Sequence, residues 1–216
     1  LAQIMRSNVL LTPEGQTFRD VAEVWGLDVG GWSWDTKIAD FDEDGWQDVY
    51  IVNGTWVPNE VSPSNMFFRN NGKGFDEAAD SFGLEDYLMT AAATQFDMDG
   101  DGDPDMVTFT VNGPLAVFRN NAKDGHAIAF TLEDHQGNRD GIGAVLRVTD
   151  DAGVVREREI QLGGGFMSFD APRVHVGLGE ARFVTSLTIR WADGSETRID
   201  GPLEAEAVYH IRRSAQ

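Results

Sequence analysis

Two short aspartate-rich stretches constrain this chain more than any other feature of its sequence. Residues 40–48 have the sequence DFDEDGWQD, and residues 97–105 have the sequence DMDGDGDPD. Each stretch has aspartates at positions 1, 3, 5 and 9 and a glycine at position 6. Two carboxylates about 4 Å apart repel each other by roughly 4 kcal/mol at the effective dielectric of a protein surface. Such loops fold poorly unless a cation neutralises them.

The spacing of these residues matches a calcium-binding loop. Such loops supply side chains from positions 1, 3, 5 and 9 and a backbone carbonyl from position 7, and they turn sharply at the glycine in position 6. The sequence therefore predicts two Ca²⁺ sites. The predicted side-chain ligands are Asp40, Asp42, Asp44 and Asp48 in the first loop and Asp97, Asp99, Asp101 and Asp105 in the second, and the predicted carbonyl ligands are Trp46 and Asp103. The alternative for each stretch is a solvated acidic turn without an ion.

The flanking residues argue against an EF-hand. An EF-hand needs a bidentate Glu at position 12, whereas this chain has Ile51 and Thr108 there. Both stretches continue into β-branched and aromatic segments, DVYIVNG and DMVTFTVNG, which end in the Asn-Gly turn signal. We therefore expect calcium loops between β-strands.

The composition excludes several classes of partner. The formal net charge is −19, from 36 acidic and 17 basic residues, and this charge repels nucleic acid and anionic membrane surfaces. The chain contains no cysteine, so a disulfide framework and a thiol nucleophile are both excluded. It has no apolar run long enough to span a bilayer, so we expect no direct membrane insertion.

The expected location is extracytoplasmic, either secreted or periplasmic. Exposed calcium loops of modest affinity suit the calcium concentrations found outside cells. The chain starts at Leu1 without an initiator Met or a visible signal peptide. We therefore expect a removed leader or a fragment of a longer protein.

The sequence around the two loops repeats. The loops begin 57 residues apart, and Phe-Arg-Asn-Asn follows each of them, at 68–71 and at 118–121. Residues 8–27 also resemble residues 65–84. Each unit is predicted to form a strand, a calcium loop and three further strands joined by turns, which is the four-stranded meander of a propeller blade.

These features resemble the FG-GAP or VCBS repeats of integrin-like propellers, whose signature is Asp-x-Asp-x-Asp-Gly-x-x-Asp followed by an apolar strand. The resemblance covers residues 1–123 and implies about two blades plus the tail of another. Propellers close with about four to eight blades, so these blades alone would leave open sheet edges. We expect either further blades in a larger protein or a protein partner that covers the open edge.

From residue 124 onward the pattern changes, and a seven-stranded β-sandwich is predicted. In residues 186–191, SLTIRW, apolar and polar side chains alternate as in a strand with one buried face. The seven predicted strands are 127–134, 142–149, 154–162, 173–178, 184–191, 195–200 and 207–212. Residues 163–165, Gly-Gly-Gly, are predicted to form a turn or bulge, and His175 is predicted to have a hydrogen-bonded structural role on the strand face opposite Val174.

This region resembles the ASPIC/UnbV domain in NRDGIGAVLRV, REIQLGGGFMSFDAPRVHVGLGE and VTSLTIRWADGSE. That domain follows FG-GAP-type repeats in the cartilage acidic protein family and in bacterial secreted relatives. The resemblance implies an acidic extracytoplasmic protein used in interactions, and it supplies no catalytic residue. The whole chain is thus expected to be all-β, with propeller blades over residues 1–123 and a sandwich over 124–216.

We expect a non-catalytic, calcium-binding interaction or assembly protein. It would be the C-terminal part of a larger propeller protein or an accessory subunit on a larger complex, which could be membrane-embedded. The alternative is a secreted protein that binds or processes polysaccharide, because aromatic side chains can stack on sugars. The tryptophans that would form such a face are Trp25, Trp32, Trp34, Trp46 and Trp56. Packing between blades is the other explanation for these residues.

Overall fold

A computed structural model shows an all-β protein and describes residues 7–54, 64–122, 124–135 and 137–214. Neighbouring strands are antiparallel except for one parallel pair in the C-terminal region. Within the described ranges, none of the sheets closes on itself. In the same ranges, no helix combines the length and apolar character needed to cross a lipid bilayer.

The N-terminal part begins with an exposed hairpin and a short helix. Strands β1 (Leu11–Glu14) and β2 (Thr17–Asp20) pair with each other, and helix α1 (Ala22–Trp25) follows them. The helix ends at Gly26, which has a φ of 78°. Glycine adopts this left-handed conformation readily because it has no Cβ.

The first acidic loop belongs to a four-stranded antiparallel sheet. Its strands are β3 (Ser33–Ala39), β4 (Asp48–Asn53), β5 (Met66–Asn70) and β6 (Phe75–Glu77), in that order. Helix α2 (Ala79–Phe82) follows β6 and ends at the left-handed Gly83. The hairpin and helix seen at the N-terminus therefore recur here, as the likeness between residues 8–27 and 65–84 predicted.

The second acidic loop belongs to a three-stranded antiparallel sheet. Its strands are β7 (Thr90–Phe96), β8 (Asp105–Thr110) and β9 (Leu115–Phe118). The two sheets share one hydrophobic core, whose buried members are Ala39, Phe41, Tyr50, Val52, Phe67, Ala79, Ala93 and Met106. This shared core places the two loops side by side in one packed unit.

The structure describes nine strands in the C-terminal part. They are β10 (His126–Glu133), β11 (Val145–Asp150), β12 (Val155–Glu159), β13 (Gly164–Gly165), β14 (Ser168–Phe169), β15 (Arg173–Gly179), β16 (Phe183–Arg190), β17 (Glu196–Glu204) and β18 (Ala207–Arg212). Each of the seven predicted segments overlaps one of these strands, although several bounds differ, most of all at β17, which extends to Glu204 instead of residue 200. The additional pair is the short β13–β14 hairpin, which the pattern did not predict.

Two C-terminal sheets enclose a second core. One has the order β15-β10-β18 and the other β12-β11-β16-β17. Their inward side chains form a cluster that includes Phe130, Leu146, Val176, Leu187 and Trp191. The alternation of buried and exposed residues along β11 and β16 fits this arrangement, because each strand turns one face to the core.

The β13–β14 hairpin joins the C-terminal sheets to the two N-terminal ones. Lys37 of β3 is 1% exposed, and its Nζ donates to the carbonyl of Gly164 and to Ser168 Oγ, the latter at 3.0 Å. Asp170 Oδ1 lies 3.2 Å from the same Nζ and also accepts a 3.0 Å hydrogen bond from the backbone N–H of Gln95 on β7. The glycine-rich segment is thus part of a hairpin that packs against both N-terminal sheets.

Candidate metal centres in the two acidic loops

Both acidic loops connect two paired antiparallel strands. In the first, Ala39 at the end of β3 pairs with Asp48 at the start of β4. In the second, Phe96 at the end of β7 pairs with Asp105 at the start of β8. Strand pairing therefore holds the aspartate at position 9 beside the residue that comes directly before the aspartate at position 1.

Each loop brings three carboxylates together. In each group, one oxygen from every member lies within 4.8 Å of one oxygen from each of the others. The groups are Asp40, Asp42 and Asp48 in the first loop and Asp97, Asp99 and Asp105 in the second. Oxygens that bind one Ca²⁺ at 2.3–2.6 Å can be at most about 5 Å apart, so both groups fit a shared ion.

The aspartates at position 5 are not members of these groups. Asp44 Oδ1 accepts a 2.9 Å hydrogen bond from the backbone N–H of Trp46. Asp101 Oδ1 accepts one of 3.4 Å from the backbone N–H of Asp103. Both side chains therefore accept a hydrogen bond from the backbone of position 7. The three-carboxylate groups are formed by the aspartates at positions 1, 3 and 9.

The side chain at position 9 is the centre of an identical hydrogen-bond frame in both loops. Asp48 accepts the backbone N–H groups of Phe41 and Asn70 at 3.0 and 2.8 Å. Asp105 accepts those of Met98 and Asn120, both at 2.7 Å. Hydrogen bonds to a carboxylate stabilise its charged form, and each oxygen keeps a lone pair for a metal ion.

The repeated Phe-Arg-Asn-Asn motif supplies the rest of this frame. Arg69 binds Asp42, and Arg119 lies 3.2 Å from Asp99, so each arginine holds the aspartate at position 3. The amide groups of Asn70 and Asn120 donate to the carbonyls at position 8 of their loops, at 3.0 and 3.3 Å. The sequence showed that this motif recurs after each loop, but these arginines and asparagines were not predicted to contact the loops.

The first loop is largely buried, and its arginine Arg69 pairs with Asp42 and Asp44 at positions 3 and 5. Asp40 is 4% exposed, and its Oδ1 accepts no hydrogen bond from the described residues. Burial, reinforced by the nearby charges of Asp48, Asp44 and Asp42, raises the pKa of Asp40 to about 8. Burial also raises the pKa of Asp48 to about 7. Without a metal ion, this loop would therefore retain a proton near neutral pH.

In the second loop, the largest pKa shift is that of Asp103 at position 7. Asp103 is 2% exposed, and neither of its carboxylate oxygens accepts a hydrogen bond within the described part of the chain. Burial and the adjacent Asp101 raise the pKa of Asp103 to about 8. The sequence predicted only the backbone carbonyl of this residue as a ligand, whereas the structure also buries its carboxyl group in the loop.

The donors in both loops suit a hard divalent cation. All of the donors are oxygens, the carboxylates of each group are close enough to share one ion, and Asp40 offers a buried oxygen that has no hydrogen-bond partner among the described residues. These residues would hold Ca²⁺, which would supply the positive charge that balances the clustered carboxylates.

The tryptophans of the alternative sugar-binding face have different environments. Trp34 donates from Nε1 to the carbonyl of Gly54 at 2.6 Å and packs 5.2 Å from Phe166, measured between ring centroids. Trp32 and Trp46 are 56% and 53% exposed. Trp56 lies outside the described residues.

The C-terminal part of the chain can be assigned by comparison with known families. Residues 134–216 match the family model for ASPIC and UnbV. This confirms the resemblance predicted for the region. The ASPIC and UnbV match begins after β10, yet β10 is the central strand of its sheet and contributes Ile128, Phe130 and Leu132 to the core. The structural unit therefore begins before the matched residues.

No curated protein matches the chain. The resemblance of residues 1–123 to FG-GAP or VCBS repeats stays a prediction.

Proposed function

We propose that this chain is a non-catalytic, calcium-binding interaction or assembly module in which each acidic loop holds one Ca²⁺. The observation that carries this proposal is the convergence of three carboxylates in each loop on the same hydrogen-bond frame. Two independent loops with one geometry favour a shared ligand over a chance accumulation of acidic residues.

The proposed architecture is two FG-GAP-type propeller blades and the tail of another, followed by an ASPIC/UnbV β-sandwich. Two antiparallel meanders with equivalent loops support the blades, and the N-terminal hairpin with its helix supports the tail. Two sheets over one core support the sandwich.

Calcium would act by neutralising charge. Each ion would balance carboxylates that otherwise repel one another across a buried turn, and the loop would then keep its shape without retaining a proton. Because an ion that binds only the folded loop stabilises the folded state, its binding free energy adds to the stability of the sheets that carry the loop.

A protein partner would cover the open edge of the second sheet. Strand β9 is an edge strand within the described chain, and Phe109, Leu115 and Val117 are each 54% exposed beside that edge. Unpaired strand edges with apolar side chains are typical places for strand addition by a partner. The partner would be a further part of a larger propeller protein or a subunit of a larger complex, in an extracytoplasmic compartment.

Thermal melting with and without a chelator tests the calcium proposal. We expect millimolar Ca²⁺ to raise the melting temperature of the whole chain above its value in EDTA, and Mg²⁺ to do so less because it demands a smaller octahedral site. Asp101→Ala should reproduce part of the loss, because it removes charge and a turn hydrogen bond from the second loop. Identical melting curves in calcium and in EDTA would contradict the proposal.

A second candidate is polysaccharide binding through the exposed Trp32 and Trp46. Aromatic rings at the surface can stack on sugar rings. Binding to a glycan array that is lost on Trp32→Ala, together with an assay for released sugar, would separate this candidate from a module that binds proteins.

A further inference from the structure

Strand β15 presents two different faces, because successive side chains in a strand point to opposite sides. One face packs into the C-terminal core with Val174, Val176 and Leu178. The other face carries Arg173, His175, Gly177 and Gly179. All four of these residues lie against the acidic loops.

The first half of this face contacts the second loop. Arg173 Nη1 lies 2.6 Å from Asp97 Oδ2, and the Asp97 side chain is only 1% exposed. His175 Nδ1 is 2.9 Å from the carbonyl of Gly102. Burial lowers the pKa of His175, so its neutral ring donates this bond from Nδ1. These contacts fix both the first aspartate and the turn glycine of the second loop.

The second half of the face contacts the first loop. A Cβ at Gly177 would overlap Asp40 Oδ2, so only glycine leaves room for this carboxylate. The backbone N–H of Gly179 donates to the carbonyl of Glu43 at 3.1 Å. One strand of the C-terminal sheets therefore lies across both loops and touches the first aspartate of each.

We propose that strand β15 couples the two cation sites to each other and to the C-terminal sheets. The inference rests on the calcium binding proposed above. An ion that fixes the carboxylates of a loop also fixes the surface on which β15 lies, and a docked β15 holds the first aspartate of both loops in place. By thermodynamic linkage, binding of the ions and docking of the strand strengthen each other by the same factor.

Adding a single methyl group to β15 tests whether the two calcium sites are coupled or independent. The variant Gly177→Ala places a Cβ against Asp40 of the first loop, while Arg173 and His175 at the second loop keep their side chains. We expect isothermal calcium titration of the full chain to show about tenfold weaker binding at both loops. The matched control is Gly74→Ala, whose Cβ has only an ordinary 3.4 Å contact with the carbonyl of Trp25. It should bind calcium as the unchanged chain does.

Weaker binding confined to one loop, or unchanged binding at both loops, would overturn the coupling while leaving calcium binding intact. If the unchanged chain shows no saturable calcium binding, the proposed function itself fails.

Hydrogen exchange of the unchanged chain tests the coupling without a substitution. Strand β15 is an edge strand within the described residues. We expect calcium to slow exchange over residues 173–179 by about tenfold more than over β17, which lies at the edge of the other C-terminal sheet. Equal slowing of the two strands would overturn the inference, even if the loops themselves become protected.

Discussion

The two acidic loops differ most at their first aspartate. Asp40 lies against Gly177, and one of its oxygens accepts no hydrogen bond from the described residues, whereas Asp97 is bound by Arg173. The other features are shared: an arginine on position 3, two backbone N–H groups on position 9 and a hairpin between paired strands. The repeated motif therefore determines the hydrogen bonds that the two loops share. Strand β15, which lies across both loops, determines how the environment of the first aspartate differs between them.

This difference implies different responses to the loss of calcium. Among the described residues Asp40 forms no direct ion pair and interacts with the charge of Arg158 only at longer range, so removal of an ion leaves Asp40 and Asp48 buried and close together. In the second loop, the guanidinium of Arg173 still balances Asp97. We therefore expect the first loop to depend on calcium more strongly than the second.

The largest effects should come from position 9, where the loops are alike. Asp48→Ala and Asp105→Ala each leave two backbone N–H groups without an acceptor and remove a metal ligand. We expect each to lower the free energy of unfolding in calcium by about 3–5 kcal/mol, as measured by urea denaturation. Glu180→Ala, at an exposed carboxylate, should change it by less than about 0.5 kcal/mol. A large loss at only one of the two aspartates would show that the frames are not equivalent.

The stability of the metal-free chain should depend on pH, because each loop contains a buried carboxyl group with a raised pKa. In the folded chain without metal the pKa of Asp40 is about 8, above its ordinary 3.8, so the folded state holds this proton more tightly than the unfolded chain does. Stability from this group is fully present below about pH 4 and is lost as the pH rises through about 8. Melting in EDTA should therefore occur at lower temperature at about pH 8 than at about pH 5.

Substitution at position 1 identifies the source of that dependence. Asp40→Asn should weaken the pH dependence in EDTA without abolishing it, because Asp48 and Asp103 also have raised pKa values, whereas Asp97→Asn should leave it in place because Arg173 balances Asp97. Saturating calcium should flatten the profile of the unchanged chain, since the ion replaces the proton. A metal-free chain that becomes more stable between about pH 5 and pH 8 would contradict the burial of the first loop.

The smallest expected effect is on calcium affinity at the second loop. Arg173→Gln removes a positive charge next to Asp97 while keeping a hydrogen-bond donor there. We expect calcium to bind the second loop about fivefold more tightly in this variant, a gain of about 1 kcal/mol, and to bind the first loop more tightly by a smaller factor, because β15 couples the two sites. Titration calorimetry resolves the two sites if their affinities differ as expected. Weaker binding at the second loop would show that Arg173 supports the ion instead of competing with it.

The parts of this architecture that depend on local spacing could be predicted from the sequence. The β-branched and aromatic segments next to the aspartates placed both loops between strands, and the alternation of residues placed the seven C-terminal strands. The prediction of a hydrogen-bonded structural role for His175 is confirmed by its contact with Gly102. Each of these features depends on residues close together in the chain, where periodicity is informative.

The contacts that distinguish the two loops could not be predicted in this way. Arg173 and Asp97 are far apart in the sequence, as are Gly177 and Asp40, and local periodicity says nothing about which strand lies across which loop. The ion pair of Lys37 with Asp170 also joins residues that are far apart in the sequence, so local periodicity could not predict it. Recurrence of Phe-Arg-Asn-Asn after each loop was the one sequence signal that pointed to the arginines and asparagines of the frame.

Equilibrium dialysis of the full chain against radioactive calcium tests the central claim most directly. The account predicts saturable binding of two calcium ions per chain, and Asp48→Ala and Asp105→Ala should each remove one of them. A chain that binds no calcium at millimolar concentration while remaining folded would contradict it.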